Sequence, residues 1–438
     1  MKSTQKLQTN RSLTRRAFIQ QSALGAASLW LAGCQHTAPR RLSANDKLNL
    51  GIIGVGGQGK FSIDNLAGEN IVALCDVNGK NLAAASQRFP SAKTFNDFRR
   101  LVDQAGLDAI VVATPDHSHA VAAVAALKSG RHLYCEKPLA RTITETRSIT
   151  ETARKMGRVT QIGTQIHAGG NYRRVVELIQ SHAIGAVNEV HVWVASSYGG
   201  KELPREYPPV PPDLHYDLWL GPVESRPYSP EWVPFNWRHW WAFGGGSLAD
   251  FGCHYMDLPF WALGLKYPLT VEAQGPVPHP ESTPVWLIVR YEFPARGQQP
   301  PVKLTWYHGG KHPAMLTEEQ YGKWKSGVLF IGEKGIVLAD YGRNVLLPEK
   351  DFEGFVRPQP FIKDSIGHHR EWVEAIKTGE TTTCNFDYSG PLTETALLGN
   401  VAYRVGKKLE WNAKRLRVGN CPEAERFIQH HYRSGWNL

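Results

Sequence analysis

The segment Gly54-Val55-Gly56-Gly57-Gln58-Gly59 carries the spacing GxGxxG. At that spacing Gly54 permits a tight turn, Gly56 lets backbone approach a pyrophosphate, and Gly59 lets a helix lie close on its strand. The chemistry implied is dinucleotide binding at a helix N-terminus. Asp76 follows about twenty residues later, where a carboxylate meets the adenosine ribose hydroxyls. It would repel a 2′-phosphate, which favours NAD over NADP. Lys80 nearby keeps NADP open.

These residues work only if a strand ends at the glycines and a helix begins there. Leu48–Gly54 is a continuous apolar run, as a buried parallel strand should be. Further strands are expected at Asn70–Leu74, Leu107–Ala113, His132–Cys135 and Val159–Gly163. Helical patterns lie between them at Asn81–Arg88, Asn96–Gln104, His119–Ser129 and Ile143–Met156. Such alternation predicts right-handed crossovers and an open parallel sheet. After Gln165 the texture changes. Asn171–His182 reads as a helix and Asn188–Ser197 as a strand with one wet face. Thr270–Ala273, Val285–Phe293, Val302–Tyr307, Gly327–Gly332 and Gly335–Asp340 suggest an antiparallel sheet. Two late helices are expected at His369–Thr378 and Leu392–Val405. The fold class is therefore α/β, with a Rossmann domain over 47–165 and an α/β domain with a large, mostly antiparallel sheet over 166–438.

Two strand ends carry reactive side chains: Ala113-Thr114-Pro115-Asp116-His117-Ser118-His119 and Cys135-Glu136-Lys137-Pro138. With the glycine turn, and with Trp219-Leu220-Gly221-Pro222 and the stretch from Gly244 to His254, they resemble the Gfo/Idh/MocA oxidoreductases. That resemblance covers almost all of the chain after residue 34. It implies that Lys137 acts with an Asp and a His four residues apart, which Asp250 and His254 supply. On a helix these two share a face. His254 would take the proton of a secondary hydroxyl, its pKa being near neutral. Asp250 would orient the imidazole or hold a sugar hydroxyl, and Lys137 would donate to the reacting oxygen. Pro138 holds Lys137 away from helical geometry. Thr114, Pro115 and His119 would line the cofactor groove, and Glu136 would reach the nicotinamide ribose. Gln165, Tyr172, Arg174, Trp237 and Arg238 are candidates to face the substrate; for the two tryptophan-segment residues, packing is an equal reading. With no HExxH motif and no cysteine pair, no metal is expected.

The first residues set the compartment. Arg15-Arg16 before a short apolar run resembles a twin-arginine export signal, and Leu31-Ala32-Gly33-Cys34 resembles a lipobox. The expectation is a signal over 1–34, lipidation at Cys34 after cleavage, a tether over 35–46, and a periplasmic protein held to its membrane by lipid. The formal charge of +10 drops by about half without the signal's Lys2, Lys6, Arg11, Arg15 and Arg16, and no basic stripe remains, which argues against nucleic acid. Cys75, Cys135, Cys253, Cys384 and Cys421 are scattered, as expected of reduced thiols rather than a disulfide framework.

Together these readings predict an exported NAD-dependent oxidoreductase acting on a sugar or polyol, with a tightly bound, internally recycled cofactor and a homo-oligomeric assembly. Two alternatives stand beside it. One is a glycosidase that uses NAD transiently, by oxidation and elimination, aided by a tyrosine such as Tyr172 or Tyr255. The other is a non-catalytic NAD-binding sensor or scaffold, against which the retention of Lys137, Asp250 and His254 argues.

Overall fold

The computed structural model describes residue 43 and residues 45–438, which fall within one compact unit. Arg15, Arg16 and Cys34 lie outside the described residues. Six short strands, with β3 and β6 at the two edges, make a parallel sheet: β1 (Asn49–Ile53), β2 (Asn70–Cys75), β3 (Lys93–Phe95), β4 (Ala109–Val112), β5 (His132–Cys135) and β6 (Thr160–Ile162). Their order is β3-β2-β1-β4-β5-β6. All four residues of β4 are buried because helices cover both faces. The three-residue β3 was not anticipated; two of its residues are exposed, so it has no apolar run to read.

Helix α1 (Gly57–Leu66) leaves the glycine turn, α2 (Asp116–Lys128) follows β4, and α3 (Ile143–Met156) follows β5. The start of α3 is a capping box, in which the Thr142 hydroxyl accepts from the Glu145 N–H and the Glu145 carboxylate accepts from the Thr142 N–H. Gly157, left-handed at φ 58°, ends it.

The second sheet has nine strands: β7 (Val187–Val194), β8 (Thr270–Gln274), β9 (Leu287–Phe293), β10 (Val302–His308), β11 (Gly327–Gly332), β12 (Gly335–Ala339), β13 (Asn344–Leu347), β14 (Leu409–Asn412) and β15 (Arg417–Val418). Their order is β13-β12-β11-β7-β10-β9-β8-β14-β15. Every pairing is antiparallel except β7 with β10, which is parallel. In β9 and β10 every second residue is fully buried, the signature of a sheet with one face on a core. That core includes Trp306, Tyr291, Phe293 and Phe330.

Against it pack α4 (Gly170–Gln180), α5 (Gly246–Tyr255), α6 (Asp257–Leu263) and α8 (Phe386–Val405), while α7 (His368–Thr378) lies on the first sheet beside α1. Helix α8 begins six residues before the expected Leu392. Asn385 caps it and Pro391 lies inside, a residue that reads as a helix stop in sequence. All five cysteines of the described residues are free and buried.

Candidate active site

At the carboxyl ends of the parallel strands opens a cavity of about 660 Å³, a size suited to a cofactor and small substrate. Gly54, Gly56, Gly57, Gln58, Asp76, Thr114, Pro115, Glu136, Lys137, Trp237, Arg238 and His254 all line it. Residues two hundred positions apart, Gly54 and His254, thus converge on one space. Gly54 is left-handed at φ 83°, and a Cβ on Gly59 would overlap the Gly54 carbonyl oxygen. Only glycine allows α1 to start this close to β1. Asp76 is drawn toward the same turn. Its carboxylate accepts from the N–H groups of Val55 (2.9 Å), Gly56 (3.3 Å) and Asn78 (2.8 Å). It therefore shapes the glycine loop as well as offering an oxygen at the cavity wall.

The residues fit a dinucleotide on two counts: the turn leaves room only for backbone, and Thr114 Oγ1, Asp116 Oδ1 and Glu136 Oε2 are buried with no hydrogen-bond partner among the described residues. Burial pushes the Glu136 carboxyl up to about 7, although Lys137 pulls it down and the Gln165 side-chain amide donates to it at 3.0 Å.

Deeper in the cavity wall the Lys137 ammonium donates to Asp250 Oδ1 at 2.5 Å and to the Asp250 carbonyl at 3.1 Å. Arg238 Nε lies 3.3 Å from the same carboxylate oxygen, its guanidinium stacked 4.1 Å over the Trp237 ring. Burial opposes ionisation of Asp250, but the Lys137 and Arg238 charges prevail and hold it at about 2. His254 stands beside the pair with Nδ1 buried and unpartnered. Burial, reinforced by the Lys137 charge, lowers its pKa to about 3 rather than leaving it near neutral. The imidazole is therefore neutral at physiological pH. Asp250 binds the two cations instead of the imidazole, so it does not orient His254 by a hydrogen bond.

Several expected contacts fall elsewhere. His119 is buried under the cavity, with its ring nitrogens 2.8 Å from the Pro138 carbonyl and 2.7 Å from the Thr114 carbonyl. It braces both strand-end loops rather than lining the groove. Burial lowers its pKa to about 4, so the neutral ring donates to one of the two carbonyls. Gln165 reaches Glu136 and Tyr134, one layer behind the cavity. Tyr172 is fully buried in the second core. Arg174 points away along α4 to Glu177 (2.9 Å) and the Ile362 carbonyl. Tyr255 stacks on Tyr341 with ring centroids 4.5 Å apart.

Three residues that sequence reasoning did not assign join the site. Asp116, 3 % exposed at the start of α2, lines the cavity; burial raises its pKa against the pull of Arg238 and Lys137. It stood in the strand-end motif and was readable there. Tyr198 stacks on Phe251 with ring centroids 5.6 Å apart, and its phenol pKa is raised by burial and by the Asp250 charge. Trp436 lines the cavity near Asp97 and Phe98, with its ring 6.1 Å from that of Phe98. No local pattern marks it, since its contact spans more than three hundred residues.

Two family descriptions match the chain: "Oxidoreductase family, NAD-binding Rossmann fold" over residues 48–164 and "Oxidoreductase family, C-terminal alpha/beta domain" over 178–299, both of the Gfo/Idh/MocA group. Inositol 2-dehydrogenase of Salmonella paratyphi B (strain ATCC BAA-1250 / SPB7) is 33% identical over 150 residues, 33% of this chain and 45% of that protein. Levoglucosan dehydrogenase of Pseudarthrobacter phenanthrenivorans (strain DSM 18606 / JCM 16027 / LMG 23796 / Sphe3) is 26% identical over 237 residues, 50% of this chain and 51% of that protein. The chain thus spans about half the length of these curated relatives. The structure of GenD2 from gentamicin A biosynthesis, in complex with NAD, shares the fold with a TM-score of 0.58 at 19% identity, covering 86% of this chain and 99% of that one. The two matched segments together take in more than half of the chain, and between them they contain the glycine turn, Lys137, Asp250 and His254: the chain belongs to the Gfo/Idh/MocA oxidoreductase family.

Proposed function

We propose that this protein is an NAD-dependent oxidoreductase that oxidises a secondary hydroxyl of a sugar or polyol. The observation that carries the reading is the Lys137–Asp250 pair, with neutral His254 beside it, at the end of a dinucleotide-sized cavity. Bound NAD would supply hydride acceptance. The chain supplies the rest. Lys137 uses two of its three N–H bonds on Asp250 and keeps one for the substrate oxygen. His254, uncharged, has a lone pair to accept the hydroxyl proton, and the Asp250 carboxylate nearby stabilises the imidazolium that results. Arg238 on Trp237 offers a donor and a flat apolar face to the sugar. The inositol and levoglucosan dehydrogenases among its relatives support this substrate class.

The second reading, a glycosidase working by transient oxidation and elimination, is favoured by Tyr198, whose phenol feels the Asp250 charge and would serve an elimination step better than the buried Tyr172 or the stacked Tyr255.

The export reading rests on Arg15, Arg16 and Cys34. Outside the cytoplasm free NAD is scarce, so the cofactor would be held tightly and regenerated in place. Purified protein, supplied with free sugars, aryl glycosides and a second carbonyl substrate but no cofactor, should turn over many times without net NADH. Stoichiometric NADH, and activity only with added NAD, would refute the recycling. Replacing Arg15 and Arg16 by lysine keeps the charge but should strand the protein in the cytoplasm; undiminished export would remove the twin-arginine reading.

A further inference from the structure

A second cavity, of about 530 Å³, lies behind the segment that joins Trp237 and Arg238 to α5. Its floor is Trp241, Ala242, Gly244 and Gly245, and its far wall is the end of α8. Four arginines reach it: Arg141, Arg226, Arg404 and Arg426. Among the described residues only Arg226 of these four has an acidic partner, Glu281 at 3.3 Å. Glu224, the other acidic side chain in the lining, is exposed. Arg404 makes no ion pair or hydrogen bond among the described residues. Its guanidinium is sandwiched between Trp241 (4.8 Å) and Phe427 (4.0 Å). Arg141 spends one nitrogen on the Trp241 and Ala242 carbonyls, and its Nε and Nη2 are buried without a partner. His430 adds an unpartnered Nε2.

Glu281 is held by Arg226, so the largely buried Arg141 and Arg404 guanidiniums are costly without a further anion beside them. The Arg404 pKa is lowered to about 10 by burial and by the Arg141 and Arg426 charges, against the pull of Glu281. We propose that this cavity binds a small organic polyanion through its carboxylate or phosphate groups, with Arg404 and Arg426 as the principal contacts and Arg141 as the third. Guanidinium forks match both oxyanions. Trp241, Phe427, Val401 and Leu397 line the rest and would hold the ligand's carbon frame. The site is distinct from the catalytic cavity: the two share no lining residue. Arg141 connects them, since it follows Lys137 by four residues and holds the loop that carries Arg238.

The test is calorimetric titration of the purified full chain with inorganic phosphate and, separately, citrate, at ionic strength matched with chloride. Saturable binding of at least one, weakened about tenfold or more in Arg426→Ala and in Arg404→Lys, is the expected result. Arg426 is exposed, so its replacement leaves the fold intact, and Arg404→Lys keeps the charge and stem while losing the fork. Phosphate binding without citrate assigns a phosphorylated ligand, and the reverse assigns a polycarboxylate. No saturable heat with either anion, the same heat from chloride, or affinity unchanged in both variants would overturn the site. Binding should persist in Lys137→Ala, which separates this result from the fate of the oxidoreductase reading.

Discussion

In the proposed reaction Lys137 and His254 would divide the proton chemistry, and each sits where its environment sets its charge. The Asp250 carboxylate holds the ammonium in place, while burial keeps the imidazole neutral. Lys137→Ala and His254→Ala should each lower turnover by about a hundredfold or more, the scale of a lost proton-transfer or oxyanion-stabilising group. Both should retain NAD, because the glycine turn and Asp76 are untouched, and NAD retention measured beside turnover separates lost chemistry from lost structure. Removing one partner of a buried pair costs about 3–5 kcal/mol when the other charge is stranded, but Arg238 remains on Asp250. Near-normal turnover in either variant would reject the assigned roles.

At the scale of elements, the cofactor cavity is closed by a segment that belongs to neither sheet. Residues 429–438 run back across the Rossmann face. Arg433 fastens them, donating to Asp217 Oδ1 (2.5 Å), the Asp217 carbonyl (2.6 Å) and the Gly221 carbonyl (2.6 Å), while the Tyr432 hydroxyl donates to Glu145 at 2.7 Å. The segment delivers Trp436 to the cavity wall, with the Arg99 guanidinium 4.8 Å from its ring. A flat ring there would offer the adenine of a bound dinucleotide a stacking face, worth about 1–3 kcal/mol where aromatic side chains stack on bases. Trp436→Ala should therefore speed NADH release about tenfold, read by the decay of bound-NADH fluorescence after dilution. Arg433→Ala should do the same by freeing the strap. Unchanged release in both would show that the segment is packing alone.

For the whole molecule, buried neutral histidines dominate the response to acid. Burial lowers His117, His254 and His368 to about 3, and His119, His308 and His369 to about 4. In the unfolded chain they would protonate near pH 6.5. The unfolded state therefore binds more protons below that pH, so the stability these groups lend is present above about 6.5 and is lost as pH falls toward 4 and 3. Asp250, held at about 2, adds a loss that begins only below its unfolded value of about 4. Glu136 and Glu394, both raised to about 7, act in the opposite sense and temper stability as pH rises from about 4.5 to 7. The denaturant midpoint should fall steeply between about pH 6.5 and 4. A midpoint flat to pH 4.5 would contradict this origin.

The parallel sheet, the glycine turn, Asp76 and the Lys137 strand end were legible locally. A buried strand is a run of apolar residues and a phosphate-binding turn is a fixed spacing of glycines, so each signal lies within a few neighbouring positions. Asp250 and His254 were legible too, because four residues on a helix make one face. What each of them touches was not. Asp250 binds Lys137 and Arg238 rather than His254, His119 braces two loops, and Tyr172 and Arg174 leave the cavity, because α4 and α5 are oriented by the core they share with the nine-stranded sheet. Strand order in that sheet, with β7 beside β10, joins segments about a hundred residues apart and has no local signature. Trp436 over the cofactor cavity and the arginines of the second cavity follow from the same cause: side chains distant in sequence meet only where burial of apolar surface has already brought their elements together.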